Sequence, residues 1–271
     1  MSAPPEVASK SIESVPPEVT TLPPEGTVPP KVTTTSIESV PLDDAIHLNR
    51  AFAGWGCDEV TILNILAHRS AEQRTQIRQE YKTKFSEDFD HRLSNELMFS
   101  PDLKRALLLR MDDPTSRDAK IVKHGLSNNL NVAIEVICSR TPSKLEELKK
   151  AYRTMFTTYL DEDIESYAQG DNKKAVKRET SSEFKCALLT ILQCAENPEK
   201  YFAKALHKAM DGLGTDDETL TRIIVSRAEV DIEKMKAEYL KKYGKPLSDV
   251  VHSETSGHYR AFLLSLLNPN P

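Results

Sequence analysis

The chain has 271 residues, of which 39% are apolar and 28% charged, and its formal net charge is −5. That balance suits a chain burying a sizeable core behind a polar surface, and it excludes non-specific nucleic-acid binding, which needs a basic stripe. No apolar run approaches the roughly 20 residues of a membrane-spanning helix, and no basic-then-apolar leader opens the chain.

Residues 1–40 stand apart from the rest. Pro4-Pro5-Glu6, Pro16-Pro17-Glu18 and Pro23-Pro24-Glu25 recur, and the hexapeptide at 11–16 returns at 36–41. Without an aromatic residue this stretch cannot bury enough surface to offset ordering, which predicts a disordered tail of polyproline-II character. It would serve as a passive spacer or as the ligand of a proline-reading protein partner. The four cysteines, Cys57, Cys138, Cys186 and Cys194, form no C-x-x-C pair and have no histidines at zinc spacing. They read as small apolar residues in a reducing compartment, so the expected location is the cytoplasm.

After the tail, apolar residues recur at helical spacing. In chain order the pattern predicts helices over Glu59–His68, Ala71–Phe85 and residues 103–110, and near the C-terminus over residues 219–226, 229–243 and 259–267. No alternating strand pattern intervenes, so the fold class is all-α.

The segments repeat. Arg69, Arg140 and Arg227 each end a similar apolar helix, and each has a tyrosine twelve residues on: Tyr81, Tyr152 and Tyr239. Thirteen residues before each arginine stand Gly56, Ser127 and Gly214, and two residues earlier stand Gly54, Gly125 and Gly212. Agreement at several fixed offsets is the signature of a repeat architecture.

An acid accompanies two of the three Gly-x-Gly loops. Glu96 lies forty residues after Gly56 and Glu254 forty after Gly214, each in a predicted turn before an apolar helix. An offset spanning several helices points to two loops at one end of a bundle. Calcium takes about six to eight oxygen ligands, commonly carbonyls plus a bidentate carboxylate, and glycine lets successive carbonyls turn to one point. Such a set leaves positions for water or a lipid phosphoryl oxygen.

Gly212-Leu213-Gly214-Thr215-Asp216-Asp217, the Ser226-Arg227 of its helix and Glu254-Thr255-Ser256-Gly257 together resemble the annexin repeat, and Gly54-Trp55-Gly56 with Leu66-Ala67-His68-Arg69 is similar to the first repeat of plant annexins. The resemblance runs over residues 42–267. It implies a curved array of helical repeats whose convex face binds anionic phospholipid membranes through Ca²⁺. The metal ligands it implies are the carbonyls of Phe52, Gly54 and Gly56 with the Glu96 carboxylate, and those of Met210, Gly212 and Gly214 with Glu254. Trp55 and Leu213, between the glycines, would meet the headgroup and acyl boundary.

Two departures grade the copies. Thr215 through Glu218 read as a capping box, whereas Cys57 replaces the usual threonine; as a poor cap it predicts a looser, weaker first site that Cys57→Thr would strengthen. The middle copy has Ser127 for the second glycine and Tyr167 at the position forty beyond, so it is expected to be calcium-silent.

The family usually carries four repeats. Here Glu179 begins an acid turn 39 residues after Arg140, where the outer copies place theirs 27 after the arginine. The extra twelve residues suggest a junction near Gly170. The resulting division is a tail over 1–40, a first repeat over 41–112, a hybrid over 113–195 joining the front of a second repeat to the back of a third, and a last repeat over 196–271. Rival functions are a calcium-independent scaffold acting through the tail, or a weak peroxidase-like activity at His68, which plant annexins suggest. No acid–base partner accompanies His68 and no P-loop is present, so the expectation is a non-enzyme, a reversibly peripheral membrane binder.

Overall fold

A computed structural model describes residues 39–54, 56–169, 187 and 189–268. These lie in the compact unit Ser36–Pro271. Trp55, Gly170, Glu179, Cys186 and the tail up to residue 38 lie outside the described residues.

Among the described residues the structure is helical, with no strand. The first unit comprises α1 (Ser39–Ala51), α2 (Glu59–His68), α3 (Ala71–Phe85), α4 (Phe89–Glu96) and α5 (Pro101–Met111). The middle unit contributes α6 (Pro114–Asn128), α7 (Leu130–Cys138), α8 (Pro142–Phe156) and α9 (Leu160–Gln169), and residues 189–196 are again helical. The last unit holds α10 (Pro198–Met210), α11 (Asp217–Arg227), α12 (Ile232–Tyr243), α13 (Leu247–Glu254) and α14 (Gly257–Leu267).

Local signals set these boundaries. Asp113, Thr141 and Asn197 each cap a helix whose first residue is proline; there the missing N–H costs nothing and the fixed φ suits the helix. α3 opens on a reciprocal capping box between Ser70 and Gln73. The helices α3, α8 and α12 all end on a left-handed residue seventeen positions after the repeat arginine: Ser86 at φ +56°, Thr157 at +62° and Gly244 at +69°. Each donates its N–H four residues back, to Lys82, Arg153 and Leu240. Only the last copy uses glycine, so the other two accept a left-handed Cβ costing about 1 kcal/mol. The three repeat tyrosines are fully buried.

Packing separates the middle unit from the other two. One continuous core takes Leu48, Ile62, Leu66, Tyr81 and Leu107 from the first unit together with Leu206, Ile224, Tyr239 and Phe262 from the last. A second core holds Val122, Val136, Leu148 and Tyr152 of the middle unit. The first and last units, far apart in sequence, therefore form one module.

Buried charge reinforces that module. Glu229, in the turn after α11, accepts from Arg74 Nη2 and Arg117 Nη2, each at 2.9 Å, and lies 3.1 Å from Arg110 Nη1. Burial pushes its pKa up, but Arg110, Arg74 and Arg117 together leave it below the ordinary carboxylate range. The middle unit is joined through Arg117 of α6, which reaches both Glu229 and the Val225 carbonyl, and through Glu135, which pairs with Arg222 of α11. Its own arginine, Arg140, pairs with Asp118, as Arg69 pairs with Asp44.

Candidate functional site

The two predicted loops are closed by the same hydrogen bond. Asp58 donates its N–H to Ala51 O at 2.9 Å, and Asp216 donates to Ala209 O at 2.8 Å. Inside these turns Gly54 and Gly56 have φ of +119° and +82°, and Gly212 and Gly214 have +134° and +91°. A Cβ at any of the four would meet no atom within 4 Å. Glycine is needed there for backbone direction rather than for room, as carbonyls converging on an ion require.

The helix caps correct the reading of Cys57. Thr215 does not cap α11; Asp216 does, its carboxylate accepting from the Thr219 N–H at 3.0 Å. In the first loop the same work falls to Asp58, which accepts from the Thr61 N–H at 3.1 Å and from the Thr61 hydroxyl at 2.7 Å. That hydroxyl and N–H hold the exposed Asp58 carboxyl below its usual range. Cys57 therefore leaves the cap intact. It removes instead a bond that Thr215 makes: the Thr215 hydroxyl lies 3.2 Å from Glu254 Oε2 and 3.3 Å from Glu254 O. In the first loop the Cys57 thiol reaches only Glu96 O, at 3.8 Å. Burial, with Glu59 and Glu96 nearby, pushes that thiol's pKa up.

Glu96 and Glu254 are the last residues of α4 and α13 rather than turn residues. Their loops fold back on the Gly-x-Gly turns, so each acid reaches the loop forty residues before it. Glu254 meets Thr215. Glu96 meets a residue that sequence reasoning missed, Arg92, one helical turn before it on α4. Arg92 Nη2 donates to Phe52 O at 3.1 Å and lies 2.9 Å from Glu96 Oε1. The corresponding position in the last unit, four before Glu254, is Val250. That i, i+4 contrast between a cation and an aliphatic side chain was the available signal.

The loop faces adjoin. Glu59, opening α2, accepts from Ser100 Oγ at 3.0 Å and pairs with His258 Nδ1 of α14 at 2.6 Å. The turn after Glu96 thus lies beside the turn after Glu254. Apolar side chains stand out on these loops: Leu213 is fully exposed at 110%, Phe99 at 91% and Met98 at 61%. Met98 and Phe99 follow Glu96 closely and were not singled out from the sequence, because short apolar pairs ordinarily enter a core.

The middle copy has no such loop. Gly125, Leu126 and Ser127 continue α6, and Leu126 is buried. Gly125 is needed for closeness instead, since a Cβ there would come 2.7 Å from Ala133 N of α7. His68 ends α2 with Nδ1 2.8 Å from Asn64 O of its own helix.

Each loop thus combines carbonyls with one carboxylate, and among the described residues no three of His, Cys, Asp and Glu converge. Such a donor set fits a hard cation held chiefly by backbone oxygen.

A family model, Annexin, matches residues 43–109, 117–178 and 201–266. The chain belongs to the annexin family. It is 40% identical to Annexin D5 of Arabidopsis thaliana over 305 aligned positions, covering 85% of this chain and 96% of that protein. To mouse Annexin A13 the identity is 31%, over 83% of this chain and 94% of the relative. Among solved structures, a point mutant of annexin A8 with an intact N-terminus superposes with a TM-score of 0.75 at 29% identity, covering 84% of this chain and 94% of that one. Annexins are known for calcium-dependent phospholipid binding, and among the described residues of this annexin no helix is long and apolar enough to cross a membrane.

Proposed function

We propose that this annexin docks reversibly on anionic phospholipid surfaces in a calcium-dependent manner, through the first and last loops acting from one rigid module. The observation that carries this reading is a duplicated geometry. Two turns, closed by equivalent hydrogen bonds and each with two left-handed glycines, receive a carboxylate from the end of a helix forty residues on, and both are fixed in a single core.

The residues divide the work by chemistry. The carbonyls of Met210, Gly212 and Gly214 with Glu254, and those of Phe52, Gly54 and Gly56 with Glu96, are the metal ligands. Bound calcium supplies a centre whose remaining positions accept phosphoryl oxygens of lipid. Leu213 enters the acyl boundary, Trp55 meets the headgroups, and Met98 and Phe99 add a second apolar contact beside Glu96. Binding is peripheral and from the cytoplasm, and the Pro-rich tail is a spacer or the site of a protein partner.

Within this reading the middle unit is a hybrid of two half-repeats that binds no calcium. Its support is that the alignment with Annexin D5 spans 305 positions while taking in only 85% of a 271-residue chain. We read the protein as a binder and not an enzyme, since His68 Nδ1 is engaged by its own helix.

Liposome sedimentation tests the proposal. Wild type is expected to pellet with phosphatidylserine vesicles only when calcium is present, and Glu254→Gln to weaken this by about tenfold, as loss of a charged ligand implies. Sedimentation indifferent to both calcium and that substitution would favour the scaffold reading and sink this one.

A further inference from the structure

The two loops differ in what occupies the space between their ligands. In the first, Arg92 Nη2 donates to Phe52 O at 3.1 Å and lies 2.9 Å from Glu96 Oε1, so one guanidinium nitrogen already joins two of the oxygens assigned to calcium. Arg92 is held there from other directions. Its guanidinium carbon lies 5.9 Å from the centre of the Phe52 ring, and Nη1 is 3.9 Å from Glu87 Oε1. Its Nε is buried without a hydrogen-bond partner, while the side chain as a whole keeps 34% of its surface exposed. In the last loop no cation among the described residues reaches Glu254 in this way. The equivalent residue, Val250, packs against the core, and the acid meets a neutral hydroxyl.

We propose that Arg92 is a resident cation of the first loop, that a divalent ion must displace it, and that the loops therefore fill in order, the last before the first. This rests on reading both loops as calcium sites. A guanidinium and a divalent cation cannot share the Phe52 carbonyl and the Glu96 carboxylate, because like charges at that separation repel strongly. Calcium entering the first loop must break an arginine–carboxylate pair with charge-assisted geometry. Entering the last loop it displaces no cation, and the Thr215 hydroxyl can stay on the Glu254 carboxylate. With no ion bound, the guanidinium ties α4 to the first turn in place of the metal. This loop is thus pre-assembled but discriminating. It opens to calcium only at higher concentration, or when lipid phosphoryl oxygens arrive with the ion and help to offset the displacement.

The chain carries one tryptophan, Trp55, between the two glycines of the first loop, which makes that loop separately observable. Terbium is titrated into the full-length protein, and emission sensitised through the indole reports the first loop alone. Isothermal titration with Glu254→Gln assigns the last. In wild type the indole-sensitised signal is expected to rise only after the Glu254-dependent sites have filled. Arg92→Gln and Arg92→Val, the second copying Val250, are each expected to lower its midpoint by about tenfold, the scale on which one neighbouring charge moves an ionic equilibrium. Arg50→Gln, which removes an exposed cation on the same flank that bonds neither ligand, is expected to leave it unchanged. Midpoints of the Arg92 variants within about twofold of wild type, or an equal shift in Arg50→Gln, overturn the proposal while leaving the calcium reading intact. Absence of any indole-sensitised signal in wild type and in the Arg92 variants overturns the calcium reading of the first loop itself.

Discussion

Glu229 offers the sharpest test of how the last unit is joined to the other two. Its single carboxylate faces Arg74, Arg110 and Arg117, with contacts of 2.9, 3.1 and 2.9 Å, and the Arg74 and Arg117 side chains are at most 1% exposed. Removing one partner of a buried ion pair typically costs about 3–5 kcal/mol, because the other charge is left unpaired. Here the guanidiniums keep carbonyl acceptors at Arg69, Ala67, Leu109 and Asp112, which places Glu229→Gln at the low end, about 3 kcal/mol. For a chain of this size that lowers Tm by roughly 6–12 °C. Arg110 is the over-provided partner. Its Nε and Nη1 lack hydrogen bonds, and burial with Arg74 nearby pulls its pKa down to about 9. Arg110→Met is therefore expected to be neutral or stabilising by up to about 1 kcal/mol, and adding it to Glu229→Gln should recover about 1 kcal/mol. Urea unfolding at neutral pH measures all three. A loss below about 1 kcal/mol in Glu229→Gln, or no recovery in the double variant, refutes the claim that this carboxylate holds the module together. The pH dependence carries the same sign. Because the folded pKa of Glu229 is depressed, its contribution is fully present above the unfolded value near 4.3 and is lost as pH falls through the folded value. The gap between wild type and Glu229→Gln should close in that acid window.

Gly212 and Gly125 share an alignment column but serve opposite ends, so Gly212→Ala should strain a turn at φ +134° and cut calcium-dependent vesicle binding by about tenfold. Gly125→Ala should leave vesicle binding untouched and destabilise the fold by about 1–3 kcal/mol, through overpacking against Ala133, as denaturant unfolding would register. Cys57→Thr should raise first-loop terbium affinity by about threefold to tenfold, a neutral hydrogen bond's worth, through a hydroxyl bond to Glu96 and not through the cap; an unchanged midpoint would count against that bond. Met98→Ser with Phe99→Ser should weaken vesicle binding by about tenfold or more at saturating calcium without altering terbium binding in solution, since the pair is exposed and touches no ligand carbonyl.

Much of this molecule is written locally. The all-α class, the helices Glu59–His68 and Ala71–Phe85 and the repeat registered on Arg69, Arg140 and Arg227 follow from apolar period, capping residues and fixed offsets, all of them short-range signals. Pairing Glu96 with the first loop and Glu254 with the last was also legible, because two copies kept the same forty-residue separation while the third lost both halves. What stayed hidden depends on which side chain fills space made by distant segments. The sequence suggested a cap role for Cys57, but only the folded loop reveals that Asp58 and Asp216 cap their helices, freeing the preceding residue to meet the acid. Gly125 looked like a remnant of a loop glycine; helix packing turned it into a contact with α7.

By itself, then, the sequence determined repeats, helices and a candidate set of carbonyls and acids for calcium, since these are properties of composition and spacing. Only the tertiary structure decided that the first and last units share one core, that Glu229 gathers arginines from the first and middle units, and that an arginine joins the Phe52 carbonyl to Glu96 where Val250 stands in the last unit. Burial and proximity across a hundred residues and more arise from packing, which no local pattern encodes.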